Sequence, residues 1–89
     1  MRNPVYTNQF KKDLKKNLKR GKDQEKLKVV LDALIFGDRL GIRYRDHNLM
    51  GDYKGRRECH IEPDWLLIYK LIGDDIVFER TGTHSDLFD

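Results

Sequence analysis

A chain of 89 residues, 38% hydrophobic and 37% charged, can bury one modest core and has no length for a second, so residues 1–89 are expected to form a single domain. No run approaches the roughly 18–20 consecutive apolar residues of a membrane span, the opening MRNPVYTNQF lacks a signal peptide's apolar segment, and the lone Cys59 has no partner for an internal disulfide, so a cytoplasmic protein held by packing is expected. The net charge of +3 hides ten Lys/Arg against three Asp/Glu in residues 1–30 and one against five in residues 71–89, which suits a polyanionic partner and equally a solvated lysine face.

In chain order, RNPVYT reads as an edge strand, because Pro4 has no N–H to give to a central ladder. The period then becomes helical: Phe10, Leu14 and Leu18 recur every four residues behind Thr7 as N-cap, and Gly21 ends the run. Asp23 caps a second helix, in which Leu27, Val30, Leu31, Leu34 and Ile35 follow the spacing of one helix face up to Gly37. The short link predicts an antiparallel hairpin of helices. Residues 38–52 read as a loop with a brief strand at Ile42–Tyr44. Beyond it YKGRRECHIE alternates, DWLLIYKLI is almost wholly apolar and DIVFERTG alternates again, with Pro63-Asp64 and Gly73-Asp74-Asp75 as turns. The middle run, apolar on both faces, belongs at the centre of a sheet. The expected fold is α+β: an N-terminal helix hairpin on one face of a small twisted antiparallel sheet, with the other face open to a ligand.

The residues suited to proton transfer are His47, His60 and His84. A single histidine is more often structural, but three in one half of a small chain favour acid–base chemistry near neutral pH. Strand alternation sends Cys59 and Ile61 to the buried side and Arg56, Glu58 and His60 to the open one. Cys59 and His60 therefore diverge, no C-x-x-C or H-x-x-x-H pair exists, and the acids form no recognisable cradle, so no metal and no cofactor is expected. Phosphate chemistry without a metal needs a base for a ribose 2′-OH, an acid for the departing 5′-oxygen and a cation for the phosphate; histidines, a carboxylate and arginines supply these. Trp65 and Phe88 read either as packing aromatics or as platforms for an unpaired base.

The stretch YRDHNLMGDYKGRRECHIEPDWLLIYKLIGDDIVFERTGTHSDLF, residues 44–88, resembles the catalytic half of RelE-type messenger-RNA interferase toxins, most closely their YafQ branch. Three motifs carry the likeness in order: D-H-N-L-x-G, K-G-x-R-x-x-H-x-E-P-D-W-x-L-I-Y-K and F-E-R-T-G-T-H-x-x-L-F. The helix pair before them agrees in pattern only. The resemblance implies a RelE-like toxin of a bacterial type II toxin-antitoxin system that cuts messenger RNA on the ribosome through the ribose 2′-OH. It also implies a cognate antitoxin that silences the toxin in a hetero-oligomer. Carried over by position, the implied active-site residues are His47, His60, Asp64, Trp65, His84 and Phe88. His60 and His84 lead as acid and base, with His47 and Asp64 orienting them or sharing protons. Arg80 is the candidate for stabilising phosphate charge, and Lys54 and Arg56 join Trp65 and Phe88 as expected RNA contacts. Asn48, Tyr53 and Arg56 stand where relatives can carry proline, tryptophan and an aromatic, which bears on substrate contacts. Two other classes compete with an enzyme: a non-catalytic ribosome- or RNA-binding module that uses the basic helices, and a protein-interaction domain.

Overall fold

Both helices start where their caps stand. In the computed structural model, which describes residues 1–88, the Thr7 hydroxyl accepts the Phe10 N–H and opens α1, Asn8–Lys19. The Asp23 carboxylate accepts the Glu25 N–H and opens α2, Gln24–Phe36, which ends at Gly37 with φ 98°. The strands are β1 (Asn3–Tyr6), β2 (His47–Asn48), β3 (Arg57–Glu62), β4 (Trp65–Ile72) and β5 (Asp75–Gly82), and a short helix α3 (His84–Phe88) follows.

The strands form one sheet in the order β1-β5-β4-β3-β2. From β2 to β5 it is the expected antiparallel meander, and β4 lies at its centre with Trp65 to Tyr69 buried on both faces. The all-antiparallel expectation fails at one edge. β1 runs parallel to β5, Asn3 opposite Asp75 and Tyr6 opposite Phe78, so the sheet is mixed. Four exposed residues carry no local signal of direction, and this one is imposed by the chain returning through α1 and α2. The expected strand at Ile42–Tyr44 is a 3₁₀ turn, closed by Arg45 in the left-handed region at φ 49°. A second such turn spans Gly51–Tyr53, leaving only His47 and Asn48 to pair with β3.

α1 and α2 cover one face, burying Phe10, Leu27, Val30 and Leu34 against Trp65, Leu67, Tyr69, Ile76 and Phe78. Each such side chain contributes about 1.5–3 kcal/mol of transfer free energy. α1 is rotated from its sequence stripe, because Asp13 and Asn17 are buried while Leu14 and Leu18 are only partly so. Their partners explain the rotation. β1 covers β5 only as far as Phe78, and beyond it the Thr81 N–H donates to Asp13 (3.2 Å) while the Thr81 carbonyl accepts from Asn17 (3.1 Å). The helix thus satisfies a stretch of strand edge that would otherwise be buried without partners. The opposite face is less open than alternation implies: Leu66 and Ile68 are sealed by Leu87 of α3, with Leu49 and Tyr53 beside them.

Candidate active site

α3 carries one of the three histidines and is pinned at several points. The Thr83 N–H donates to Asp86 Oδ2 (3.0 Å) and the Asp86 N–H to the Thr83 hydroxyl (3.1 Å), a reciprocal box at the helix start. Arg20 of α1 grips the same carboxylate at 2.7 Å, and it is chiefly this guanidinium, with the Thr83 N–H behind it, that holds the Asp86 carboxyl well below its ordinary range. Tyr53 donates to the Leu87 carbonyl (3.1 Å). Gly82 makes the close approach possible, since a Cβ there would lie 2.9 Å from Asp86 Cβ and Oδ2.

The three imidazoles form a row, His47 to His60 at 6.4 Å and His60 to His84 at 5.7 Å between ring centres, and Phe88 extends it 6.4 Å beyond His84. Each ring is oriented through Nδ1. His84 Nδ1 meets Asp64 Oδ1 at 2.6 Å, and the His84 backbone N–H reaches the same oxygen at 2.9 Å. Those two contacts, the backbone one first, lower the Asp64 carboxyl. His60 Nδ1 faces the Pro63 carbonyl at 3.2 Å and His47 Nδ1 the Arg45 carbonyl at 2.5 Å. The Nε2 atoms of His47 and His60 turn to one carboxylate oxygen, Glu58 Oε2, at 3.0 and 4.0 Å. Glu58 is 5% exposed and its Oε1 has no partner, so a buried carboxylate bridges two imidazoles with one oxygen unused. His47 itself stands between two clamped residues, since Arg57 bonds both Asp46 and Asn48 and Tyr69 donates to Asp46 at 2.6 Å.

Residues 2–89 match the model of the family described as bacterial toxin of type II toxin-antitoxin system, YafQ. The chain belongs to the YafQ toxin family. It is 50% identical over 84 residues to the mRNA interferase toxin YafQ of Escherichia coli K12, covering 93% of this chain and 91% of that one. Its fold superposes on the toxin in the crystal structure of the E. coli DinJ–YafQ complex with a TM-score of 0.93 at 48% identity over the whole of both chains. A metal-bound toxin from Helicobacter pylori aligns with a TM-score of 0.92 at 38% identity, over 99% of this chain and 100% of that one.

Within this YafQ-family chain the expected site residues separate into two sets. His47, His60, Asp64, His84 and Phe88 come together, and Phe88 is 44% exposed beside them, edge-on to Tyr53. Trp65 does not join them. It is fully buried on the helix side and its Nε1–H donates to the Thr81 hydroxyl at 2.9 Å, so no base can stack on it and its expected RNA contact is corrected to a packing role. Arg80 is bound to Asp13 at 2.8 Å, which raises its pKa, and it stands beside Tyr53, the ring edge-on to Phe88. It lines a shallow groove with Arg56 and Glu79 that contains no histidine, and Arg56 is itself paired with Glu79. The strand register shifts here: Tyr69 is opposite Phe78 but Ile68 is opposite Arg80, so Glu79 is an extra residue that changes the direction in which the strand presents Arg80 and its successors. Lys54 is exposed at the end of the Gly51–Tyr53 turn.

Glu58 is the residue that sequence reasoning placed on the correct side without assigning it any part. Its signal was a carboxylate two residues before a histidine on one strand face. Glu58, His60 and His84 each also offer a donor atom within 4.8 Å of the others. Spacing along the chain reveals no such set, because the trio is assembled from β3 and α3. Two imidazoles and a carboxylate suit a borderline divalent ion such as zinc or copper.

Proposed function

We propose that the chain is a messenger-RNA endoribonuclease toxin, acting on the translating ribosome and neutralised by a cognate antitoxin in a hetero-oligomer. One observation carries the reading: three imidazoles in a row, their Nδ1 atoms held by acceptors, with Nε2 of His47 and His60 turned to one buried carboxylate. His84, with Nδ1–H donated to Asp64, presents Nε2 as the base that takes the 2′-OH proton. The freed oxygen attacks the adjacent phosphate, and the bond to the 5′-oxygen breaks, leaving a 2′,3′-cyclic phosphate and a 5′-hydroxyl. His60 returns a proton to that oxygen. Glu58 suits the proton-donating side because it is shielded from water, where its attraction for an imidazolium is screened far less than that of exposed Asp64. His47, with Nδ1 at the Arg45 carbonyl and Nε2 at Glu58 Oε2, orients that carboxylate beside His60. Phe88 offers a face for a base.

The chemistry needs no metal. A divalent ion on Glu58, His60 and His84 would occupy the atoms that move protons and inhibit the enzyme. Purified protein incubated with messenger RNA, with and without ribosomes, tests the reading. Cleavage is expected with ribosomes at fixed magnesium, unaffected by a chelator selective for transition metals, reduced by zinc and abolished in a folded His84→Ala variant. A substrate with sulfur in place of the bridging 5′-oxygen, whose departure needs no acid, restores cleavage to His60→Ala and not to His84→Ala. Ribosome binding without any cut would favour the non-catalytic module.

A further inference from the structure

Beside His60 a groove of about 540 Å³ runs between α2, the Ile42–Tyr44 turn and the β3–β4 turn. Its lining includes Lys26, Arg43, Tyr44, Arg45 and Pro63, with His60 at the end that meets the imidazole row. We propose that this groove holds the RNA strand on one side of the cleaved bond, with Arg43 and Arg45 as its phosphate contacts. The inference rests on reading the imidazole row as an RNA-cleaving site.

Unpaired cations also stand elsewhere among the described residues, Arg39 and several α1 lysines included, but in this groove they adjoin the imidazole row. Arg20, Arg56, Arg57 and Arg80 are each committed to a carboxylate, Asp86, Glu79, Asp46 and Asp13 respectively. Among the described residues Arg43 and Arg45 enter no ion pair; Arg43 lies over the Tyr44 ring at 4.7 Å and bonds its hydroxyl. The one carboxylate in the lining, Glu62, is taken by Lys22 and Lys26 at 3.2 and 2.9 Å. Two arginines with donors to spare beside an aromatic ring suit a phosphate and the base it carries. The walls also orient the chemistry. Arg45 is the one non-glycine residue at positive φ among those described, and its carbonyl holds His47 Nδ1, while the carbonyl of Pro63 holds His60 Nδ1. A residue kept in that sparsely populated conformation implies that the surroundings fix the turn. An acidic protein segment would also meet the arginines, but continuity with the imidazole row favours RNA.

The test uses the wild-type chain and a fluorescein-labelled, 12-nucleotide 2′-O-methyl RNA, which cannot be cut because its 2′-oxygen is blocked. Arg43→Ala/Arg45→Ala is expected to weaken binding tenfold or more, and to lower the slope of log K against log salt by about 1.4, the value for two phosphates on a single strand. Lys12→Ala/Lys15→Ala removes the same charge from α1 and is expected to change affinity less than threefold. Equal losses in the two double variants, or an arginine variant that binds RNA normally and its antitoxin weakly, would overturn the proposal. Thermal melting shows whether each variant is folded, and should the alanine pair unfold, Arg43→Gln/Arg45→Gln takes its place with the same expected losses in affinity and slope. If wild-type protein leaves ordinary RNA intact on ribosomes while the arginines still govern binding of the blocked RNA, the nuclease reading falls and the groove stands.

Discussion

Replacing Gly82 by alanine adds a single methyl group at a crowded point of the fold. The new Cβ would stand 2.9 Å from Asp86 Cβ and Oδ2 and 3.3 Å from its Cγ, inside ordinary contact distance for all three. Asp86 cannot yield cheaply. Its carboxylate is held by Arg20 and the Thr83 N–H, and its own N–H by the Thr83 hydroxyl, so the first turn of α3 must move as a unit. Overpacking of this kind costs about 1–3 kcal/mol. In a domain of this size, 1–2 kcal/mol lowers Tm by roughly 5–15 °C. The larger effect is on cleavage: His84 sits on the displaced turn, and a shift of about 1 Å in a reacting group can cost on the order of 100-fold in rate. Melting by circular dichroism and single-turnover cleavage measure the two effects. The decisive comparison is a double-mutant cycle with Asp86→Gly, which removes the three atoms nearest the methyl. On that background Gly82→Ala should cost almost nothing further in Tm. Equal losses with and without Asp86 would refute the steric account, as would a Gly82→Ala protein with wild-type Tm and cleavage rate.

Glu58→Gln keeps the shape and removes the charge facing His47 and His60; kcat should fall by about 10²–10⁴ with the fold retained, and a full-rate variant would exclude Glu58 from proton transfer. Trp65→Phe should lower stability by about 2 kcal/mol in a denaturant melt, through the lost bond to Thr81 and a small cavity, and leave RNA affinity unchanged; weakened RNA binding in a normally folded variant would reinstate Trp65 as a base contact. The lowered carboxyls of Asp86, Glu62 and Asp64 stabilise the fold above the ordinary carboxylate pKa of about 3.9–4.3, and that contribution is lost as pH falls through their depressed values. Tm should therefore decline below about pH 4, and the decline should be shallower in Arg20→Ala, which removes the chief cause of the Asp86 shift.

The sequence by itself determined the features written at short range. Thr7 and Asp23 as caps, the change from a helical period to a two-residue period, and the unbroken apolar run from Trp65 each act through neighbours a few positions away, and each appears in the fold where the pattern put it. The same alternation sent His60 and Glu58 to one side of β3, and the family resemblance related His47, His60 and His84 by position. What only the tertiary structure decided depends on contacts between distant segments. The direction of β1 follows from the path of two helices, and the rotation of α1 from the unpaired edge of β5 at Thr81. The pairing of Arg80 with Asp13 follows one extra residue in β5, which alternation cannot anticipate because a bulge restarts the count. Glu58 acquired its place between two imidazoles because β2 pairs His47 with it across the strands, a relation between positions 47 and 58 that no periodicity records.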